Sequence, residues 1–487
     1  MLRTPLLLAL LLSSCGAPAT PGSGGDGLSA AERTDEILPL AAAPAAQRTD
    51  AVTAPQNPFA GFDAKTVTRD GDGVVMTGVR LPGPNGVLLA ETLRADGVSS
   101  TRSAWRADRM TLRGVEIARP ASSLRIGTLS LTDLTLDAGC EVEAGAAGLL
   151  ACARWDEMVA TFVAGEGIAA EGAGPDGVRW RVGLATLSGF DHGRVAEARL
   201  QDVSLRRATP AAAPTLPRLA MRLGGAPFGL GGLAEADAVR LEAVRVSGAS
   251  LEPVLAGELS LAVSAVRLDT LATSRGGTFV SGAAGLDVTD LEVAQGALVR
   301  GALTVRDARS DLAAGLGAAA RAAAREADAE VLRGNASVAY AREVGGARLD
   351  ARWSLPGAGE GRLGLDLTDG DGAAGAGRAI GVSGGRLDVL DTGGLDAAFV
   401  VAAAAEGQEA SLLRRQVVGA LTFIAMREAE GDPALGRMAG ALLTFAAQGG
   451  GVEVVLRPEE PVPPTVLAQA PPGEAARRLG LTVSVRD

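Results

Sequence analysis

A single histidine, His192, and three cysteines in 487 residues leave too few ligands for the usual four-ligand zinc site or for a haem. The sequence therefore points to no metal and no cofactor. Lys65 is the only lysine among 46 basic residues, no basic block occurs, and the net charge is -11. A nucleic-acid partner needs a positive footprint, so that class is set aside. Aromatic residues make up 3% of the chain, so any core must be built from Ala, Val and Leu. No apolar stretch approaches the ~20 residues that span a bilayer as a helix. The longest, Ala397 to Ala405, is short and alanine-rich and fits a buried strand or helix.

What the chain does have begins at its first residues. Arg3 precedes an apolar run from Leu6 to Leu12, and Leu12-Ser13-Ser14-Cys15 follows at once. A charged start, a short hydrophobic stretch and small residues before a cut site describe a secretory signal. The tetrad resembles the bacterial lipobox, which implies cleavage before Cys15 and attachment of two or three acyl chains, such as palmitate, to that residue. Two or more chains anchor stably, at about 0.8 kcal/mol per buried methylene. Gly16 is not the aspartate that retains such proteins at the inner membrane, so the expected place is the inner leaflet of the outer membrane, facing the periplasm. In an oxidising compartment, Cys140 and Cys152 are candidates for a disulfide.

Five segments follow from texture. Residues 1–15 are the signal, and 16–58 form a Pro-, Gly- and Ser-rich tether with an r.m.s. span of roughly 35–40 Å. A repetitive antiparallel β region is expected over 59–306, a helix over 307–334, and a β region with a helix pair over 335–487. The repeat is a six-residue pattern: apolar, any, small or Asp, apolar, any, apolar. It occurs at Met76–Leu81, Leu112–Ile117, Leu131–Leu136, Leu200–Leu205, Leu241–Val246 and Val288–Val293. Its apolar parity shifts by one residue at the centre. Side chains alternate faces along a strand, so the shift implies a bulge or twist that returns the chain to the same face. The fold class expected is mainly β with a few helices: a long antiparallel meander curled into a twisted sheet or trough. Ser310-Asp311 would cap the Ala-rich helix, and the C-terminal helices would run over about 409–428 and from Asp432-Pro433 to about Phe445.

The motifs that could carry chemistry resolve as turns. Gly370-Asp-Gly-Ala-Ala-Gly375 has the dinucleotide spacing but no helix opens on it. Gly381-Val-Ser383-Gly-Gly385 has the nucleophile-elbow spacing, yet the one histidine precedes it and a strand follows. Asp70-Gly-Asp72-Gly and Asp369-Gly-Asp371-Gly lack the remaining calcium ligands and read as hairpin turns. His192, between Asp191 and Gly193, reads as a solvent-facing turn residue. No catalytic residue is assigned, although 57 acidic residues leave a carboxylate-dependent hydrolase as an alternative.

The hexads, the helix pair and the ending Gly449-Gly-Gly-Val452-Glu-Val-Val-Leu456-Arg-Pro458-Glu-Glu-Pro461-Val resemble the class of bacterial envelope proteins related to AsmA and TamB, and alphaproteobacterial hypothetical proteins with that ending. The resemblance covers residues 64–487. It implies long antiparallel sheets curled into an apolar-lined trough and a role in outer-membrane lipid homeostasis or assembly. The expected function is thus a non-enzymatic lipid-anchored protein whose partners are its membrane and a lipid or envelope protein. A structural lipoprotein acting through its sheet edges is the alternative.

Overall fold

A computed structural model describes residues 63–486 apart from 84–85, 102, 120–121, 138–151, 167–177, 208–235, 252, 254–259, 296, 312–313, 315–317, 329, 370–379, 430–432 and 464–471. Cys15, Cys140 and the segments 1–15 and 16–58 therefore lie outside the described residues. The chain forms one antiparallel sheet of nineteen strands. The first nine are β1 (Thr66–Asp70), β2 (Gly73–Gly83), β3 (Gly86–Asp96), β4 (Ser99–Ser100), β5 (Ala104–Arg119), β6 (Ser122–Asp137), β7 (Ala153–Glu166), β8 (Val178–Asp191) and β9 (Arg194–Arg207). Next come β10 (Ala238–Ser250), β11 (Leu261–Arg275), β12 (Thr278–Ala294), β13 (Ala297–Asp311) and β14 (Val331–Glu343). The last are β15 (Gly346–Leu355), β16 (Gly359–Asp369), β17 (Ile380–Asp391), β18 (Gly450–Leu456) and β19 (Thr482–Arg486).

Each strand pairs with its chain neighbour, except that the short β4 folds onto β5 and β3 pairs with β5 directly. Among the described residues β1 pairs only with β2 and β19 only with β18, so the sheet is a meander with two free edges. The pairing of β13 with β14 joins the regions expected over 59–306 and 335–487 into one sheet.

The hexads mark two creases that cross the sheet. On the first, Gly78, Gly114, Phe162, Asp202, Thr270 and Asp307 adopt φ of 45° to 59°, one on each of β2, β5, β7, β9, β11 and β13. On the second, Gly97, Asp133, Gly189, Gly248 and Asp290 adopt φ of 51° to 61° from the end of β3 through β6, β8, β10 and β12. The two lines run six residues apart, as at 108 and 114 on β5, 183 and 189 on β8, or 264 and 270 on β11. Left-handed residues occupy alternate strands, and the residue opposite each keeps ordinary geometry. One such residue turns the following side chain back to the face it left. Met76 and Val79, Leu112 and Val115, Leu131 and Leu134, and Leu200 and Val203 are accordingly all buried at a spacing of three. Five of the six hexads carry the left-handed residue at their third position. In Leu241–Val246 it does not, because β10 meets the first crease at Glu242, between left-handed Asp202 and Thr270.

The face so gathered is closed from β2 to β11. One continuous cluster fills it, with Leu93, Val79, Phe190 and Leu200 at or below 1% exposure. Burying each such side chain stabilises the fold by about 1.5–3 kcal/mol. Trp155 and Phe190 are cross-strand partners and stack at 3.8 Å with their planes 8° apart. The opposite face is charged, and arginine and aspartate two residues apart bond along it. Arg94 donates to Asp96 (2.8 Å), Arg267 to Asp269 (3.1 Å), Arg348 to Asp350 (2.9 Å) and Arg386 to Asp388 (2.7 Å). Residues i and i+2 share a face, which is why this spacing recurs.

The helix expected over 307–334 is shorter than the sequence suggested. Ser310 and Asp311 do not cap it: they end β13, buried and paired with Leu332 and Val331. Strand pairing thus outcompetes local capping, although Asp311 still reaches Arg321 of helix α1 (Ala318–Glu326) at 3.6 Å. Ala320 and Ala324 of α1 pack on Val401 of α2 (Gly394–Glu406), all three fully buried. Helices α3 (Ala410–Ala429) and α4 (Pro433–Gln448) form the expected C-terminal pair, and α5 (Pro472–Arg478) precedes the last strand.

Candidate functional site

Beyond β11 the apolar face changes character. Register aligns Leu303, Val338, Ala351, Leu363, Leu387, Val454 and Val483 in one row across β13 to β19. A neighbouring row holds Val305, Ala336, Trp353, Gly361, Val389, Val452 and Val485. A third runs through Tyr340, Leu349, Leu365, Gly385 and Leu456. Six strand intervals at about 4.8 Å make this panel roughly 29 Å wide.

Its burial differs from that of the closed core. Val338, Leu349, Leu363, Leu365, Leu387 and Val454 are only half-buried, although their rows contain no charged side chain. Helix α4 packs beside β18 and β19, and α2 and α3 cover one end. Leu332, Leu355 and Ala358 pack there against Ala397, Ala402, Ala403 and Leu413 of α2 and α3. Toward β11, Trp353 rests on the cluster of Leu271, Leu286 and Val305. Gly361 is set beneath its ring: a Cβ there would lie 2.1 Å from Trp353 Cζ2. The result is an aliphatic panel capped at one end and open along its middle.

The chemistry-bearing residues fall elsewhere. Nδ1 of His192 lies 2.6 Å from Asp191 Oδ1 and Nε2 lies 2.8 Å from Asp137 Oδ2. The Asp137 hydrogen bond, followed by that to Asp191, raises the His192 pKa above its ordinary 6.5. His192 is partly exposed in the β8–β9 turn at φ 49°, where its neighbours placed it, but its pairing with Asp137 was invisible in the sequence. Fifty-five residues separate the two, and only the adjacency of β6, β7 and β8 brings them together. Ser383 lies within β17, with no helix opening after it. Gly71 and Asp72 form the two-residue turn between β1 and β2, while Asp371 and Gly370–Gly375 lie outside the described residues. Among the described residues no group of three His, Cys, Asp or Glu side chains could hold a metal ion. Cys152 is disulfide-bonded, and its expected partner, Cys140, lies outside the described residues. No helix among the described residues is long and apolar enough to cross a membrane.

A family model described as an uncharacterized protein matches residues 345–486, which run from the β14–β15 turn to the end of β19. No curated protein and no solved structure matches the chain.

Proposed function

We propose that this chain is a non-enzymatic lipoprotein, anchored through Cys15 in the cell envelope, that holds the acyl part of a lipid against the aliphatic panel of β13 to β19. The observation that carries this reading is the pair of half-exposed rows through Leu363 and Leu365. A panel roughly 29 Å wide, lined by leucine and valine with no charged side chain, offers dry contact to a hydrocarbon chain. A chain devoted only to its own core would close this face as it closes β2 to β11. The family match covers β15 to β19 and the helix pair, so the open panel falls largely within the matched segment. The role in lipid homeostasis suggested by the resemblance to AsmA- and TamB-related proteins is part of the same proposal.

The test is native mass spectrometry of the full chain after gentle extraction. A non-covalent lipid is expected to accompany it, distinguished from the Cys15 acyl groups because denaturation releases it. Leu363→Arg and Leu387→Arg, each on an open row, should lose that lipid while keeping the far-ultraviolet circular dichroism of the parent. Absence of any releasable lipid across several extraction conditions would overturn the reading. Cys15→Ser tests the anchor separately: the protein should leave the membrane fraction.

The alternative of assembly through sheet edges has one supporting observation. All five residues of β1 are exposed, and one side of that strand has no partner among the described residues. Exposed edges invite strand addition. Recovery of one stoichiometric envelope protein by crosslinking from Val67 would favour it.

A further inference from the structure

The charged face carries recurrent arginine–aspartate pairs, and across β8 to β10 arginines face one another instead. Arg179 and Arg206 stand directly opposite each other. In the next row on the same face, Arg181 and Arg240 flank Ser204. Like charges placed opposite one another destabilise a sheet, so this arrangement carries a cost that the Arg-x-Asp spacing elsewhere avoids. The four arginines, with Asp202 and Glu242 at the first crease, line a groove of ≈ 640 Å³. Glu242 already accepts the hydroxyl of Thr270 at 2.8 Å. Among the described residues, Arg181, Arg206 and Arg240 form no hydrogen bond and no ion pair, and all three are exposed.

A second groove on the charged face, of ≈ 760 Å³ and crossing β13 to β19, sets carboxylates against two of its arginines. Its Arg306 pairs with Asp287 at 3.0 Å, and its Arg486 reaches Asp388 at 3.4 Å and Glu453 at 2.7 Å.

We propose that the β8–β10 groove binds a phosphate-bearing anion. Guanidinium is planar and presents paired donors that match phosphate oxygens two at a time. Arg181 and Arg240 flank the Ser204 position, where a hydroxyl adds a donor to the same oxygens. In a chain of net charge -11, Arg181, Arg206 and Arg240, set against Asp202 and Glu242, leave a local positive site that a phosphate group neutralises. The groove lies on the face opposite the apolar panel and at different strands, so it stands or falls independently of acyl binding there.

The test uses the purified full chain titrated calorimetrically with inorganic phosphate and pyrophosphate at low and high salt. In parallel, the Cys15→Ser chain is floated with phosphatidylcholine vesicles with and without phosphatidylglycerol. Binding is expected to weaken as salt rises. The double variant Arg181→Gln/Arg240→Gln should weaken it by about tenfold or more, since bonds to charged groups are the strong ones. The same variant should unfold at an equal or higher temperature in phosphate-free buffer, because it removes like-charge contacts; a purely structural cluster would show the opposite. Binding of the free ions identifies a soluble phosphate compound, and binding confined to phosphatidylglycerol vesicles identifies a lipid headgroup. Failure of the parent chain to bind either, or unchanged binding by the double variant, would overturn the proposal.

Discussion

Phe162 on β7 and Gly127 on β6 face each other across the first crease, and each explains the other. Phe162 holds φ 53° and is 78% exposed, an uncommon state for a bulky residue. A Cβ placed on Gly127 would come within 3.3 Å of Phe162 Cβ, so glycine leaves the room the turned-back strand needs. The left-handed conformation costs an ordinary side chain about 1–2 kcal/mol. Phe162→Gly should therefore stabilise the fold by about 1 kcal/mol, while Gly127→Val should destabilise it by a similar or larger amount. Urea unfolding followed by circular dichroism measures both. Stabilisation by Gly127→Val would contradict the crease geometry.

Gly361 makes a sharper case on the apolar panel. Trp353 fills the space above it, and the 2.1 Å approach to Cζ2 leaves no position for a methyl group. Overpacking of this kind typically costs about 1–3 kcal/mol. Gly361→Ala should destabilise by that order and shift Trp353 fluorescence to the red as the ring is pushed outward. With Trp353→Leu in the background, the alanine should be better tolerated, a coupling that a double-mutant cycle would read.

The sequence made the meander legible because its apolar residues alternate and then skip. Met76, Val79 and Leu81 show both habits within six residues, and the skip is the physical trace of left-handed Gly78. The helix pair was legible from Asp432-Pro433 and the glycines after Gln448. Ser310-Asp311 misled because capping chemistry is local, while the pairing that claims those residues lies in β14. Register is equally non-local. Leu363, Leu365 and Leu367 were visible as a strand, but the place of Leu363 and Leu365 in rows with Leu349, Leu387 and Val454 depended on three separate connections. The unmatched Arg181, Arg206 and Arg240 could not be seen at all until β8, β9 and β10 were set side by side.

Cys152 ties one end of this region together. The Asp137 N–H donates to the Cys152 carbonyl at 3.2 Å, and the His192 N–H donates to Ala153 O at 3.1 Å. If Cys140 is the partner, as the sequence suggests, the bridge closes a short loop between β6 and β7. Such a loop contributes on the order of 3 kcal/mol in the chain-entropy model. Non-reducing peptide mapping should find the two cysteines in one fragment. Cys140→Ser/Cys152→Ser should lower the urea midpoint without changing strand content. A parent chain whose midpoint is indifferent to reducing agent would count against the bridge.

His192 should make stability depend on pH in one direction. As an imidazolium it donates to Asp137 and Asp191 at once, whereas the neutral ring donates to only one of them. Its pKa is accordingly raised above 6.5 in the folded chain, chiefly by the Asp137 hydrogen bond. A group that binds its proton more tightly when folded stabilises fully below its unfolded pKa, about 6.5. That contribution disappears as pH rises through the higher folded value. His192→Asn keeps a side chain that tolerates φ 49° but removes the titration. The parent should exceed this variant in urea midpoint by most near pH 5.5, and the gap should shrink by pH 8.5. Asp137→Asn should flatten the parent's pH dependence as well, since it removes the largest cause of the shift. A gap that widened toward alkaline pH would mean that the neutral ring, and not the imidazolium, bridges β6 to the β8–β9 turn.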